Sequence, residues 1–527
     1  MSDRQASPPP RRGAALFRGE QLDWSLALAA VALGVLLYLL DDRTNWSGGF
    51  GFDGRFYGEL ARNFPSAVFG HGAVIPPGLG HYEGPALTGI DSYYAYRLVP
   101  SGLAWLGLQV LGLSPTNSHV VGVFAGLDAL MFGLATFCWC RSADLLGLGD
   151  RAKIVGAIGL VVNFSVLRTG GYYPVSTDQV ALGLGALSLY LWLRGATLPL
   201  VACIVAACFT WPLHLAIGPL LLLFPPPANA VSSLAAGAAD RRPADWRPPR
   251  FGIVAGAIAA ILAVAALTTI QLGHHVGDGE TPQLPVFPLS AAVVGAYVFA
   301  VVAFLLPKGG LEELVAIVRS IRIGRLLLAI GVLAAVLLAA GAIARRPGFD
   351  TGGLLEQAFW SSTLDPGLFV VLFIGYYGLL LLALLADLPR AAADSWRLGP
   401  AMAAIVGGAL LAALLTQPRE ISDAYAFLVL PGVLAFRRLF GFSKGAILTF
   451  LGLSIVLSRI WLPIGDLSTD LGKLTEFPAQ AYYMAAGPWT APSMYAAQLA
   501  GVSAIGAAMW LLTRRRRSAG LGDAEPG

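Results

Sequence analysis

The chain has 527 residues, 56% of them hydrophobic and 13% charged, with a mean hydropathy of +0.68 and a formal net charge of +4. Soluble globular proteins carry about 25% charged residues, so this chain has too little charge to cover a water-facing surface. The small net charge with scattered basic clusters excludes a nucleic-acid footprint, and the even spread of apolar runs excludes a string of soluble domains.

Residues 1–21 carry Pro8, Pro9, Pro10, Arg11, Arg12 and Arg18 and read as a short, basic, disordered tail. The apolar run 22–40 is long enough to cross a bilayer and lacks a small-residue cleavage site, so it reads as a retained signal anchor. Further runs of spanning length fall at 118–139, 153–168, 178–194, 251–272, 289–306, 326–344, 366–387, 399–416, 424–440, 445–463 and 494–512. The stretch 198–224 is too long for one crossing, and Thr210-Trp211-Pro212 divides it into two short helices. The expected fold is an all-α membrane protein, a polytopic helical bundle of about fourteen crossings. No internal repeat recurs at a fixed period, which counts against an inverted-repeat transporter. Cys138, Cys140, Cys203 and Cys208 all lie in apolar runs and read as small core residues rather than a disulfide or metal framework.

Loop charge orients the bundle. Basic clusters occur at Arg141/Arg151/Lys153, Arg241/Arg242/Arg247/Arg250, Lys308/Arg319/Arg322/Arg325, Arg390/Arg397, Arg437/Arg438/Lys444 and Arg514–Arg517. With the N-terminus inside, every cluster falls in a cytoplasmic loop, and the C-terminus is also inside. This holds only if the apolar run 97–113 does not cross; it is placed as a re-entrant or interfacial helix on the outer side. The longest outer loop is then 41–117 and the second longest 464–493.

Two acidic positions stand at outer helix mouths. In Phe52-Asp53-Gly54-Arg55-Phe56-Tyr57-Gly58-Glu59-Leu60-Ala61-Arg62-Asn63, the apolar positions suit a short amphipathic surface helix with Asp53 at its N-terminal end. In Tyr172-Tyr173-Pro174-Val175-Ser176-Thr177-Asp178-Gln179, Asp178 opens the span 178–194, with Ser176 or Thr177 available as its cap. Capping or neutralising a helix N-terminus is one sufficient explanation for either carboxylate. Two carboxylates at neighbouring mouths on one face can also share a site, and acids at a membrane edge are functional candidates.

The stretch 52–57 followed by Glu59-Leu60-Ala61 resembles the motif that opens the first outer loop of GT-C glycosyltransferases, polytopic enzymes that use polyprenyl-phosphate-linked sugars, among them protein O-mannosyltransferases and aminoarabinose transferases. Tyr96-Arg97-Leu98-Val99-Pro100 with Trp105-Leu106 is similar to the interfacial helix before their second span. Thr177-Asp178-Gln179-Val180-Ala181-Leu182 resembles the acidic position opening their fourth span, and Trp211-Pro212-Leu213-His214 lies where they carry a polar-plus-proline motif. The likeness covers roughly 22–224; the C-terminal half matches only in hydropathy and span count. It departs from the family in having a single Asp followed by Gly, and Trp211 where a basic residue is common.

The resemblance implies a glycosyltransferase that moves a sugar from a polyprenyl-phosphate donor to an extracytoplasmic lipid, glycan or protein acceptor. Asp53 would be the catalytic base and Asp178 a positioning or metal-binding partner. Arg55, Tyr57, Glu59, Arg62, Tyr96, Arg97 and His214 would contact substrate; Arg168 is a further outer arginine, for which interfacial snorkelling is the favoured explanation. A divalent metal is open as the phosphate's counter-charge. The rival expectations are a transporter or flippase of lipid-linked saccharide, supported by Asp128 in mid-span, and a non-catalytic scaffold of the same fold. Asp128 reads first as a tie between helices and second as a proton relay.

Elsewhere, His71, His81, Glu83 and Asp91 are ordinary loop polarity or an acceptor cleft; His274 and His275 with Asp278 and Glu280 lack metal-ligand spacing; and Tyr482, Tyr483 and Trp489 suit sugar stacking or the aromatic belt. The expected organisation is a tail 1–21, a catalytic module 22–224, a cytoplasmic loop 225–250, a variable module 251–513 and a cytoplasmic tail 514–527. The Ala, Gly and Arg bias points to a GC-rich bacterium and its inner membrane, where membrane lipids surround the chain.

Overall fold

A computed structural model of the chain describes residues 12–518 apart from 42, 45, 52, 71–72, 76–86, 229–247, 274–285, 347–350 and 462–491. The expectations for His71, His81, Glu83, the His274–Glu280 group and Tyr482, Tyr483 and Trp489 lie outside the described residues, as do those for 1–11, Phe52 and most of the loop 225–250.

Most described residues are helical, and almost none are in strands. The strands are two or three residues long: Ala73–Ile75 pairs antiparallel with Leu87–Thr88, and Ile90–Asp91 pairs parallel with Ala344–Arg346. Among the described residues six helices are long and apolar enough to cross a membrane: Glu20–Leu40, Asn117–Leu145, Arg250–Gly273, Phe287–Leu305, Ile323–Ile343 and Pro492–Leu511. They become eight if each of two bent pairs is one span: Asp150–Val161 with Ser165–Tyr172, bent by 47°, and Leu355–Thr363 with Leu368–Tyr377, bent by 106°.

The structure corrects several boundaries. The first helix begins at Arg12, so 12–21 extends it instead of forming a disordered tail, and the last helix runs Pro492–Ser518, taking in Arg514–Arg517. The run 153–168 is not one straight span; it breaks where the Asn163 side chain donates to the carbonyls of Gly159 and Leu160, at 2.8 and 2.9 Å. The run 366–387 breaks at Gly378, whose φ of 87° ends Leu368–Tyr377 before Leu379–Ala386 begins. The stretch 198–224 does form two short helices, Thr197–Cys208 and His214–Leu223. The run 97–113 forms Leu98–Val110, whose 13 residues reach about 20 Å against a hydrocarbon core of about 30 Å.

The Asn117–Leu145 helix is central, starting where the Thr116 hydroxyl accepts from the His119 N–H. It packs along Arg12–Leu40 on one side and Asp178–Arg194 on the other, and the latter packs along Ser422–Phe440. Small residues set these distances, as in other helix pairs built for lipid. A Cβ at Gly34 would sit 2.8 Å from the Ala129 Cα, one at Gly156 2.0 Å from the Trp139 ring, and one at Gly185 2.0 Å from the Asp423 carbonyl oxygen.

Ion pairs close both ends of this core. At one end Asp23 meets Lys153 at 2.6 Å and Arg141 at 3.5 Å, while Lys153 also meets Asp144 at 2.7 Å. Lys153, expected at a loop edge, is fully buried inside Asp150–Val161. The helix Leu388–Arg397 packs on Ser422–Phe440, where Asp387 and Asp394 both grip Arg438, at 2.6 and 2.5 Å. At the other end Asp41 pairs with Arg168, which is therefore held in an ion pair and does not snorkel. Every one of these pairs joins groups that loop charge assigns to the same face.

Candidate functional site

The two acidic segments are built against each other. Gly51 and Gly54 lie on Tyr173 and Val175 so closely that only glycine fits at the two positions. Gly51 has φ 75°, and a Cβ there would meet the Tyr173 ring at 1.5 Å. A Cβ at Gly54 would meet the Val175 carbonyl oxygen at 2.5 Å. Two hydrogen bonds fasten the contact: the Gly54 N–H donates to the Tyr173 hydroxyl at 2.9 Å, and the Thr44 N–H to the Tyr172 carbonyl at 3.0 Å. The same short chain then delivers Asp178 as the first residue of Asp178–Arg194.

Asp53 precedes the helix Gly54–Arg62 but does not cap it through its side chain, and neither does Thr177 cap the helix after it. The Asp53 carboxylate is instead taken by Arg419, with Nη1 2.9 Å from Oδ2. Arg419 sits in the one-turn segment Pro418–Ile421, between the helices Pro400–Ala412 and Ser422–Phe440. Burial works against its charge, but the nearby carboxylates, Asp53 and then Asp178, outweigh that and raise the pKa of the guanidinium. Asp178 is buried, and its Oδ1 has no hydrogen-bond partner among the described residues.

Arg97 is the second cation of the site. It is 2% exposed, with its guanidinium carbon 3.8 Å from the centre of the Tyr93 ring and 4.6 Å from that of Trp211. Burial opposes the charge, and Tyr57, Tyr93 and Glu420 raise its pKa in spite of it. Its Nε and Nη1 have no hydrogen-bond partner among the described residues, and neither has Nε of Arg419. A stacked guanidinium of this kind is held flat and keeps N–H groups for a planar or tetrahedral anion. Trp211 is fixed in turn, since its indole N–H donates to the Glu420 carbonyl at 2.9 Å. Tyr57 is buried beside Tyr94 in edge contact, and its carbonyl accepts from the Ser101 hydroxyl at 3.1 Å.

The remaining expected contacts divide. Glu59 and Arg62 bind each other at 2.5 Å on one side of Gly54–Arg62, and Arg62 also lies 5.0 Å from the Phe50 ring centre. Burial raises the Glu59 pKa, with Arg62 acting in the opposite direction. Arg55 lies over Phe56 at 5.3 Å, and Tyr96 is half-buried against the apolar cluster around Leu98 and Ala340.

His214 is corrected most clearly. It is fully buried, with Nδ1 3.0 Å from Asp423 Oδ2 and Nε2 3.1 Å from the Ser188 hydroxyl. With Nδ1–H donating to the carboxylate, Nε2 accepts from the serine. The order is that of a hydrolytic relay, but all three side chains are sealed from solvent, and they join Asp178–Arg194, His214–Leu223 and Ser422–Phe440. Asp128 is also buried, and neither of its oxygens has a partner among the described residues, so it is not the tie between helices that was expected.

Arg419, Glu420 and Asp423 were missed in the sequence. Their signal was there: three charges within the seven residues 417–423, set between two apolar runs. Among the described residues no three His, Cys, Asp or Glu side chains gather as a metal-ligand set, and Arg419 occupies the Asp53 oxygen that a cation would need.

No protein-family model matches the chain, and no curated protein matches it.

Proposed function

We propose that the chain is a membrane glycosyltransferase that transfers a sugar from a polyprenyl-phosphate donor to an acceptor on the outer face of a bacterial inner membrane. On this reading the short apolar helices other than Leu98–Val110 are further crossings, about fourteen in all. The single observation that carries the proposal is the meeting of Asp53, Asp178, Arg97 and Arg419 at one end of the bundle, where two buried guanidiniums retain N–H groups without partners among the described residues.

The chemistry needs a proton acceptor and compensation for a departing phosphate. The acceptor hydroxyl oxygen bonds to the anomeric carbon while the bond from that carbon to the donor phosphate oxygen breaks. The electron pair leaves with the polyprenyl phosphate. Asp53 takes the hydroxyl proton, and Arg97 and Arg419 hold the phosphate oxygens. In the resting arrangement Arg419 is bound to Asp53. Donor phosphate competing for Arg419 would release the carboxylate at the moment a base is needed, so the pairing serves as an interlock between donor binding and proton transfer. Asp178 would orient the acceptor or the guanidinium.

The test is transfer of labelled sugar from polyprenyl phosphate in proteoliposomes. Asp53→Asn should still insert and fold, with only a modest loss of stability from weakening the Arg419 pair, while losing on the order of 10²–10⁴-fold in rate. Undiminished transfer by this variant would sink the assignment of the base.

Asp128 favours a second reading, a flippase of lipid-linked saccharide. Its carboxylate lies inside the Asn117–Leu145 helix without a hydrogen-bond partner among the described residues, and such acids mark polar pathways. Labelled lipid-linked sugar that crosses liposomes in both directions, is never transferred and stops crossing in Asp128→Asn would select this reading.

A further inference from the structure

The opposite end of the helix Ser422–Phe440 holds an apolar cavity unconnected with the acidic site. The helix has 19 residues, which puts its last turn about 27 Å from its first. The cavity has a volume of about 190 Å³ and is walled by Leu379, Phe436, Phe440, Phe450, Leu453 and Met509. Apolar cavities of about 150 Å³ stay dry and accept hydrocarbon. Its mouth is marked by Ser443, Gly445 and Thr449, all exposed, so it opens to the surroundings of the bundle and is no sealed packing defect.

Two cations stand at this mouth. Lys444 is exposed and lies between the lining residues Ser443 and Gly445. Arg437 is half-exposed and lies over Phe442 at 5.9 Å, and that ring stacks on the wall residue Phe436 at 6.3 Å. Neither cation forms an ion pair among the described residues, whereas their neighbour Arg438 is held by both Asp387 and Asp394. The helix that supplies Met509 continues through Arg514–Arg517, beginning five residues further along, or about 7.5 Å. The surface beside the cavity is suited to lipid, with Leu448, Val456 and Leu511 exposed.

We propose that this cavity holds one acyl chain of an anionic phospholipid, in the leaflet opposite the Asp53 site, with Lys444 and Arg437 binding its phosphate. Hydrocarbon fills the apolar walls, and the positive rim selects the headgroup. The proposal is independent of the reaction assigned to Asp53.

The experiment uses the full-length protein in nanodiscs of phosphatidylglycerol and phosphatidylcholine in equal amounts, transferred into detergent and analysed by native mass spectrometry for retained lipid. The wild type should retain phosphatidylglycerol about tenfold over phosphatidylcholine. Ala446→Trp, which fills the mouth, should abolish retention of both. Lys444→Glu with Arg437→Glu should remove the preference for phosphatidylglycerol while leaving the thermal midpoint unchanged, since both residues are outside the core. Equal retention of the two lipids by wild type, or wild-type retention by Ala446→Trp or by the charge-reversed variant, would overturn the site. So would preferential retention of added polyprenyl phosphate, because the cavity would then be a second donor site. Should Ala446→Trp fail to fold, the charge-reversed variant decides alone.

Discussion

The Arg419 guanidinium reaches the Asp53 carboxylate at 2.9 Å, joining the segment after the first long helix to a polar turn deep in the C-terminal half of the chain. Both side chains are mostly buried, at 15% and 16% exposure, so each depends on the other for its charge to be tolerated. Arg419→Ala should lower stability by about 1–3 kcal/mol by leaving a shielded carboxylate without its donor. In the double variant with Asp53→Asn much of that loss should return, measured as unfolding free energy in a double-mutant cycle. Strict additivity of the two substitutions would mean that the pair contributes nothing.

Arg97 is stacked and not ion-paired, so it distinguishes a planar guanidinium from a simple positive charge. Arg97→Lys keeps the charge but loses the fork and most of the contact with Tyr93 and Trp211. If the residue grips donor phosphate, KM for the polyprenyl-phosphate sugar should rise about tenfold, with a smaller change in kcat. Trp211→Leu should give part of the same effect through Arg97. An unchanged KM in Arg97→Lys would limit Arg97 to a structural role.

The relay of Ser188, His214 and Asp423 offers a different outcome. His214→Ala should cost about 1–3 kcal/mol, seen as a lower thermal midpoint, because it strips the partner from Asp423 in a sealed interior. His214→Asn retains one donor and should recover part of the loss. Ser188→Ala should be nearly silent in any activity assay, since no substrate can reach the hydroxyl.

Lys153 is the corresponding anchor at the other end of the bundle. Lys153→Met leaves Asp23 buried with only Arg141 at 3.5 Å, and the expected loss is about 3–5 kcal/mol. Asp23→Asn combined with Lys153→Met should be much less damaging than Lys153→Met alone. Detergent stability of the three proteins is the measurement.

Glu59 carries a pH signature with a defined sign. Its pKa is raised above 4.5 in the folded chain, so the folded state holds the proton more tightly than the unfolded state does. Its contribution is therefore most favourable below pH 4.5 and declines as pH climbs through the raised value, above which it stays level. Glu59→Gln should flatten stability against pH in that window. A wild-type slope that persists in the variant would assign the effect to another group.

Much of the fold was legible because lipid imposes strong rules. Run length marked the helices, and loop charge required 97–113 to lie in the interface; that run does fold as a separate short helix, Leu98–Val110. The same rule put Asp53 and Asp178 on one face, and the contact of Gly54 with Tyr173 bears this out. Hydropathy could not show the breaks at Asn163 and Gly378, since a broken apolar run has the composition of a straight one. Nor could it show that Asp53 would leave its helix end for an arginine far along the chain, because that choice is made by tertiary packing. His214 was misread for a related reason: beside Trp211 in sequence, it points to Ser188 and Asp423 while the indole ring faces Arg97. The Asp-Gly pair at 53 and 54, a departure in the motif, has its explanation in the Val175 carbonyl that leaves no space for a side chain.

The long separation between Asp53 and Arg419 also has a consequence for biosynthesis. A ribosome adds about 5–20 residues per second, so Asp53 and Asp178 are already in place for on the order of tens of seconds before Arg419 has been made. During that interval the nascent chain presents two acids at helix ends with their later counter-charge absent. A chaperone, a proton or a lipid amine must tolerate or cover them until the final third of the polypeptide arrives. Chains arrested between 178 and 419 should accordingly be the ones that membrane quality control removes first.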